Sequence, residues 1–325
     1  HSDLRRQRQM CIRDSYRSGP TQRISKIRVF IGKGFYRSYC RPQKYERQSN
    51  VAYQPSFMNK PKILITNDDG ISSKGIYALW EAMQDLGDTF IAAPSIEKSA
   101  SSHSLTLSDP LRVSNVKRKN GFEGWSISGT PVDCVKIAIR SLMDDKPDIL
   151  VSGINHGANL GNNIMYSGTV SAAAEGMIMG IPSIAISLAS HETDNYYVVK
   201  EFAKKIVKKV IVNGIPKDML LNVNVPYCNE EEVKGVRITK QGSQYFVDEF
   251  EERIDPRDGN YFWIKGEMID EDKSIEFDGA AIKENYVSIT PIHYKLTYEP
   301  FLNDLKNQYS DAVSYTHLRA HETEA

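Results

Sequence analysis

The chain has 325 residues, enough for one large domain or two modest ones, and its 40% hydrophobic and 25% charged residues are ordinary for a globular protein. Its 41 Lys and Arg balance 41 Asp and Glu only over the full length: residues 1–57 hold 13 basic and 3 acidic side chains, whereas 58–311 hold 27 basic against 36 acidic, an excess of nine negative charges. That balance excludes a nucleic-acid duplex as partner, which calls for a basic face, and the apolar run 176–188 is broken by Gly180 and Pro182, which excludes a membrane-spanning helix.

Both ends look foreign to the fold. Residues 5–15 and 313–323 resemble in-frame translations of sequencing-library adaptors, and 16–57 is basic, rich in Ser, Arg and Gln, and without periodicity. The expectation is a non-native or disordered leader over 1–57, a native start at Met58, a folded domain over 58–311 and a non-native tail over 312–325. An organelle transit peptide is the competing reading of the Arg-rich leader. Outside these ends only Cys134 and Cys228 remain, with no Cys-x-x-Cys spacing, so neither a disulfide framework nor a thiolate zinc site is indicated and a cytoplasmic setting is expected.

In chain order, Lys62–Thr66 is an aliphatic, β-branched run that ends in Asn67-Asp68-Asp69-Gly70, the pattern of a buried parallel strand meeting its loop. Ile76, Leu79, Trp80 and Met83 recur at helical spacing before Gly87. Thr89–Ala93 predicts a second strand, and the polar loop 95–104 follows. Leu111–Val116 and Trp125–Ser128 read as a hairpin leading to Gly129-Thr130-Pro131, where proline opens a helix over 132–142. Asp148–Ser152 predicts a strand that ends in the Gly- and Asn-rich loop 152–163. A helix over 170–179, a strand over 184–188 and a basic amphipathic helix over 198–212 come next.

Beyond Met219 the strands 220–225, 235–239, 261–265 and 286–291 alternate with acidic turns, without a strong helix until 301–309. This predicts an α/β fold: a Rossmann-like, mostly parallel sheet over about 58–225, then an antiparallel, β-rich lobe or hairpin extensions over 226–311.

In such sheets ligands sit outside the carboxyl ends of the strands. Adjacent Asp68 and Asp69, with Asn155 and a hydroxyl of the serine loop, form an oxygen-donor set suited to Mg²⁺ or Mn²⁺. The competing reading has one aspartate capping a turn and the other solvated. Loop 153–161 and the helix start at Ser167-Gly168-Thr169 offer backbone N–H groups and a positive dipole end to a phosphate, although Gly and Asn are also simple loop formers. His103 and His156 lie in these loops as acid, base, phosphate contact or hydrogen-bond partner. No nucleoside triphosphate loop, dinucleotide fingerprint or serine-hydrolase elbow is present in the sequence, which speaks against a kinase, dehydrogenase or esterase.

Five blocks in this order, Ile-Thr-Asn-Asp-Asp-Gly at 65–70, Ala-Pro at 93–94 with Ser99, Gly-Thr-Pro-Val-Asp-Cys at 129–134, Ser-Gly-Ile-Asn-His-Gly at 152–157 and Tyr-Ser-Gly-Thr-Val at 166–170, resemble the SurE family of survival-protein nucleotidases. The resemblance implies a metal-dependent phosphatase acting on nucleoside 5′-monophosphates, often on 3′-monophosphates and sometimes on short polyphosphate. It implies Asp68, Asp69, Ser99 and Asn155 as ligands of one Mg²⁺ or Mn²⁺ per subunit. Asp68, Asp69 and Asn67 would then be catalytic, with Asn67, Ser167, Gly168 and Thr169 on the phosphate. The family has glycine or arginine around the serine of the second loop, where this chain has Glu97-Lys98-Ser99-Ala100-Ser101-Ser102, so Ser101 and Ser102 compete with Ser99 for its role. A homodimer or homotetramer built by exchange of the C-terminal segment is also implied. The alternatives are a non-catalytic phosphate- or nucleotide-binding module of the same fold, and a sugar transferase using the Asp-Asp pair.

Overall fold

The computed structural model describes residues 60–191 and 193–310. The expected leader, the start at Met58 and the tail from 312 lie outside the described residues. The first strand, β1 (Lys62–Thr66), is followed by α1 (Lys74–Met83) and β2 (Asp88–Pro94). The expected hairpin is β3 (Val113–Lys117) and β4 (Glu123–Ile127).

Helix α2 (Pro131–Ile137) opens on a capping box between Thr130 and Asp133, with Pro131 in its first turn, and its last part widens into a π-helical turn over Ala138–Leu142. Strand β5 (Ile149–His156), a 3₁₀ turn (Gly161–Met165), α3 (Gly168–Ile178), β6 (Ser183–Ala189) and α4 (Tyr197–Asn213) complete the first half. The second half holds β7 (Leu220–Pro226), β8 (Gly235–Ile238), β9 (Tyr245–Ile254), β10 (Asn260–Ile269), α5 (Asp278–Lys283), β11 (Tyr286–Ile292) and α6 (Leu302–Gln308).

Among the described residues nine strands share one sheet in the order β3-β4-β2-β1-β5-β6-β7-β11-β8, parallel from β4 through β7. Alternation along β1 assigns the faces. Ile63 and Ile65 belong to the core shared with α1 and α4, whereas Leu64 belongs to the core shared with α2 and α3. Burial of each such aliphatic side chain is worth roughly 1.5–3 kcal/mol, so this three-layer sandwich fixes the register of β1 firmly.

Strand β1 has β2 on one side and β5 on the other, so the chain reverses direction across the sheet between them. The carboxyl ends of β1 and β5 therefore border the crevice of a topological switch point.

Three expectations need correction. Strand β5 does not stop at Ser152 but continues to His156 past a register shift against β6, so Asn155 and His156 are strand residues and not loop residues. Of the two forms expected beyond 226, the separate lobe is not the one that forms: β7 extends the main sheet in parallel and β11 pairs antiparallel with it, as expected, but β8 joins the same sheet in parallel with β11. Among the described residues only β9 and β10 stand apart, as a long antiparallel hairpin, which is the extension form of the expectation. The short helix α5 was also not foreseen.

Candidate functional site

The turn after β1 is braced by its own side chains. Asn67 Nδ2 donates to Gly70 O at 3.1 Å and to Ser73 Oγ at 2.8 Å, and Ser73 in turn caps α1 by accepting from Ile76 N at 3.3 Å. Gly70, at φ +92°, supplies the left-handed residue that the turn requires, and Ile71 N donates to Pro94 O at 2.8 Å, tying it to the end of β2. Both amide hydrogens of Asn67 are thus committed to the turn. Its Oδ1 is buried without a hydrogen-bond partner.

Asp68 is 5% exposed and lies against the first turn of α3. The Thr169 hydroxyl donates to Asp68 Oδ1, and the Thr169 backbone N–H also supports the carboxylate. A Cβ on Gly168 would lie 2.7 Å from Asp68 Cβ and 2.8 Å from its Oδ2, so only glycine lets the helix approach this closely. Ser167 caps α3 by accepting from Val170 N at 3.1 Å. The helix start thus directs its positive end at a carboxylate.

Burial raises the Asp68 carboxyl above the ordinary range despite these hydrogen bonds. Asp69 is pushed up to about 7, first by burial and then by the neighbouring Asp68 charge, against a lowering contribution from the His156 backbone N–H. Glu97 adds negative potential at both carboxylates. Asp69 Oδ2 is buried without a partner.

The serine loop reaches the same place. Lys98 N donates to Asp68 O at 2.8 Å. The Ser99 hydroxyl is turned to Glu97, donating to Oε1 at 2.5 Å on the exposed side. The Ser101 hydroxyl is buried and unpartnered, and a Cβ on Gly168 would lie 2.9 Å from it. From β5, Asn155 Nδ2 donates to His156 O at 3.1 Å and Gly157 O at 2.8 Å, which holds the amide by its nitrogen.

Two of the orphaned oxygens, Asp69 Oδ2 and Ser101 Oγ, are donors suited to a hard divalent cation. Among the described residues no group of three or more His, Cys, Asp and Glu side chains is arranged to hold a metal. A cation here would therefore combine the Asp68 and Asp69 carboxylates with neutral oxygens, Asn155 Oδ1 and a hydroxyl of the serine loop. The unpartnered Ser101 Oγ joins Ser99 as a donor for that last position.

The two histidines occupy different settings. His103 Nε2 lies 2.9 Å from Glu175 Oε2, and Lys136 Nζ lies 2.7 Å from Glu175 Oε1, so a buried carboxylate of α3 links the serine loop to α2. These two partners, His103 first, hold the Glu175 carboxyl below its ordinary value. His156 pairs its Nε2 with the Tyr196 hydroxyl and stacks on that ring, with centroids 5.5 Å apart. Burial lowers its pKa, which favours the neutral imidazole.

Several residues around the site were not foreseen. Asp278, fully buried at the start of α5, accepts from Gly161 N at 3.0 Å, Gly242 N at 2.9 Å and Gly279 N at 2.8 Å. Gln241 Nε2 donates to Gly161 O at 3.0 Å, so the loop after β5 is clamped from the second half of the chain. Asn222 and Asn224 in β7 both donate to Asn159 O, at 2.8 and 3.0 Å. Their spacing of two in an apolar strand was a usable signal, since it puts both on one face. Asp278 offered none.

A family model described as survival protein SurE matches residues 63–248. A protein named 5′-nucleotidase SurE from Syntrophomonas wolfei is 44% identical over 258 residues, covering 79% of this chain and 97% of its own length. Another of that name from Trichormus variabilis is 46% identical over 258 residues, with 76% of this chain and 97% of the relative covered. The crystal structure of the SurE protein from Aquifex aeolicus is 41% identical and superposes with a TM-score of 0.67, over 76% of this chain and 99% of that one.

Proposed function

We propose that this chain, which belongs to the survival protein SurE family, is a 5′-nucleotidase that hydrolyses nucleoside 5′-monophosphates to nucleoside and inorganic phosphate. The observation that carries this reading is the pair at the switch point, Asp68 buried with the start of α3 against it and Asp69 half-buried with its Oδ2 unpartnered. Two adjacent carboxylates repel an anionic ligand unless a cation lies between them. A metal-assisted phosphatase needs them.

Asp68, Asp69, Asn155 and a serine-loop hydroxyl, Ser99 or Ser101, would hold one Mg²⁺ or Mn²⁺ per subunit. The cation, when bound, neutralises charge on the transferring phosphoryl group and lowers the pKa of the attacking water. Ser167, Gly168 and Thr169 would lie at the phosphate end, where the helix dipole favours negative charge and where Thr169 already gives its hydroxyl and N–H to Asp68. Asn67 contributes by fixing the turn that carries both aspartates.

His103 and His156 are the two candidates for delivering a proton to the ribose oxygen that leaves, the first with its Nε2 on the Glu175 carboxylate and the second with its Nε2 on the Tyr196 hydroxyl. 3′-Monophosphates and short polyphosphate fall under the same chemistry, because the contacts described above address a phosphoryl group and not a base.

No helix among the described residues is long and apolar enough to cross a membrane. A cytoplasmic setting and a homodimer or homotetramer complete the proposal. The β9–β10 hairpin supports self-association: Phe250, Phe262, Trp263 and Ile264 are each at least 56% exposed, and an isolated hairpin is marginal in water.

The test is phosphate release from a panel of nucleoside monophosphates, with and without added Mn²⁺ or Mg²⁺. Cation-dependent release supports the enzyme. Binding of nucleotide and cation by folded protein without any release would leave the non-catalytic module.

A further inference from the structure

Beside the carboxylate site, a groove of 600 Å³ runs along the segment that connects the serine loop to β3. Lys98 and Arg112 line it together with Leu105, Leu107, Pro110 and Ser128. The volume suits a nucleotide-sized ligand. Lys98 joins the groove to the carboxylate site, since its backbone N–H donates to Asp68 O at 2.8 Å while its side chain lines the groove.

Some surface lysines are committed to acids, as Lys74 is to Asp194 and Lys200 to Glu81. Among the described residues neither Lys98 nor Arg112 has a carboxylate partner. The acid on the wall, Asp109, accepts instead from the Ser108 hydroxyl at 2.8 Å. Two uncommitted cations thus face one groove in a domain that is acidic overall.

The wall is also held in shape. Thr106 N donates to both oxygens of the buried Asp133, at 3.2 and 3.1 Å, and the Thr130 hydroxyl donates to Ser104 O at 2.8 Å. Arg112 N donates to Ser128 Oγ at 2.9 Å. Leu105 and Leu107, 47% and 90% exposed, leave an apolar ledge next to the cations. Apolar surface beside paired positive charge is complementary to a nucleoside that carries phosphate.

We propose that this groove receives a second phosphate of the substrate, so that a nucleoside bearing a phosphate on its ribose in addition to the 5′-phosphate binds better than a plain monophosphate. The proposal rests on the nucleotidase reading for the position of the first phosphate. Lys98 and Arg112 take the second phosphate, and Leu105 and Leu107 lie under the nucleoside between them.

Calorimetric titration with adenosine 5′-monophosphate and with adenosine 3′,5′-bisphosphate, alongside phosphate release from each, tests this on the full chain. The unaltered protein is expected to bind the bisphosphate roughly three- to tenfold more tightly, an advantage that shrinks with added salt. Arg112→Gln and Lys98→Gln should each remove most of that advantage and leave monophosphate affinity within about twofold. Lys119→Gln, on the β3–β4 turn outside the groove, should change neither.

Equal affinity for the two ligands, or equal loss for both in Arg112→Gln, overturns the groove. Absence of phosphate release with a retained, Arg112-dependent preference for the bisphosphate overturns the enzyme reading and upholds the groove.

Discussion

Thr169 donates its hydroxyl to the carboxylate of Asp68 across 101 residues of sequence, joining the first turn of α3 to the turn after β1. Both residues are buried. Thr169→Val keeps the shape and removes the donor, so Asp68 is left with less support in a site that already disfavours its charge. We expect a loss of roughly 1–3 kcal/mol in denaturant unfolding, and at least a tenfold fall in phosphate release at saturating cation. Unchanged stability with unchanged activity would show that Asp68 is positioned by other groups.

Gly75 faces the other side of the same crevice. A Cβ there would lie 2.0 Å from Ile154 O, and backbone cannot give way as a flexible side chain can. Gly75→Ala should push α1 from the end of β5 next to Asn155. The expected cost is about 1–3 kcal/mol by thermal unfolding, with a weaker apparent affinity for the activating cation. An alanine accommodated without either effect would mean that α1 can shift without disturbing Asn155.

Glu175 makes stability depend on acid. Its folded-state pKa lies below the ordinary 4.5, so its ionised form is favoured by folding. The stabilisation is present above 4.5 and is lost as pH falls through the lower, folded value. Melting curves collected downward from pH 5 should fall faster for the unaltered protein than for Glu175→Gln. At neutral pH, where the charge is present, the variant should be less stable by about 1–3 kcal/mol. Parallel curves for the two proteins in acid would contradict a depressed Glu175.

Asp278 acts at a distance from the reacting atoms. Its carboxylate satisfies three backbone N–H groups, including that of Gly161 in the loop after β5. Asp278→Ala strands all three, and about 3 kcal/mol of stability should go with them. Hydrogen exchange should speed up over residues 157–163, with exchange in β1 unchanged. Protection retained over that loop would assign its order to Gln241 and the asparagines of β7.

The residues that were legible in the sequence are those whose local pattern and tertiary role agree. The aliphatic alternation of β1 and the run Asn67-Asp68-Asp69-Gly70 announced a buried strand with a polar exit, and the switch-point topology puts that exit where a ligand binds. Ser167 as the cap of α3 and Thr130 with Pro131 at the start of α2 were readable for the same reason.

The end of β5 was not, because Gly153 and Asn155 look like loop residues while pairing beyond the register shift continues the strand to His156. The parallel β7 and the antiparallel β11 agree with expectation, whereas β8 runs parallel to β11 at the edge of the main sheet, a pairing set by chain connections and not by its own residues. The Ser99 hydroxyl turned toward Glu97 and the buried Ser101 hydroxyl beside Gly168 depend on side-chain placement that spacing does not encode. Helix α5 is six residues long, too short for a periodic signal, and it carries Asp278.

On the function proposed above, the Asp68–Asp69 pair holds a cation on which nucleotidase activity depends. The most direct measurement is the Mn²⁺ dependence of phosphate release from adenosine 5′-monophosphate, compared between the unaltered chain and Asp68→Asn, with melting temperature recorded on the same samples. The account predicts release that requires Mn²⁺ and a melting temperature that rises with it in the unaltered chain. In a folded Asp68→Asn both responses should be absent or at least a hundredfold weaker in cation affinity, roughly the effect of losing one charged ligand. Release that proceeds equally after chelation, or that survives Asp68→Asn with the same Mn²⁺ dependence, would contradict it.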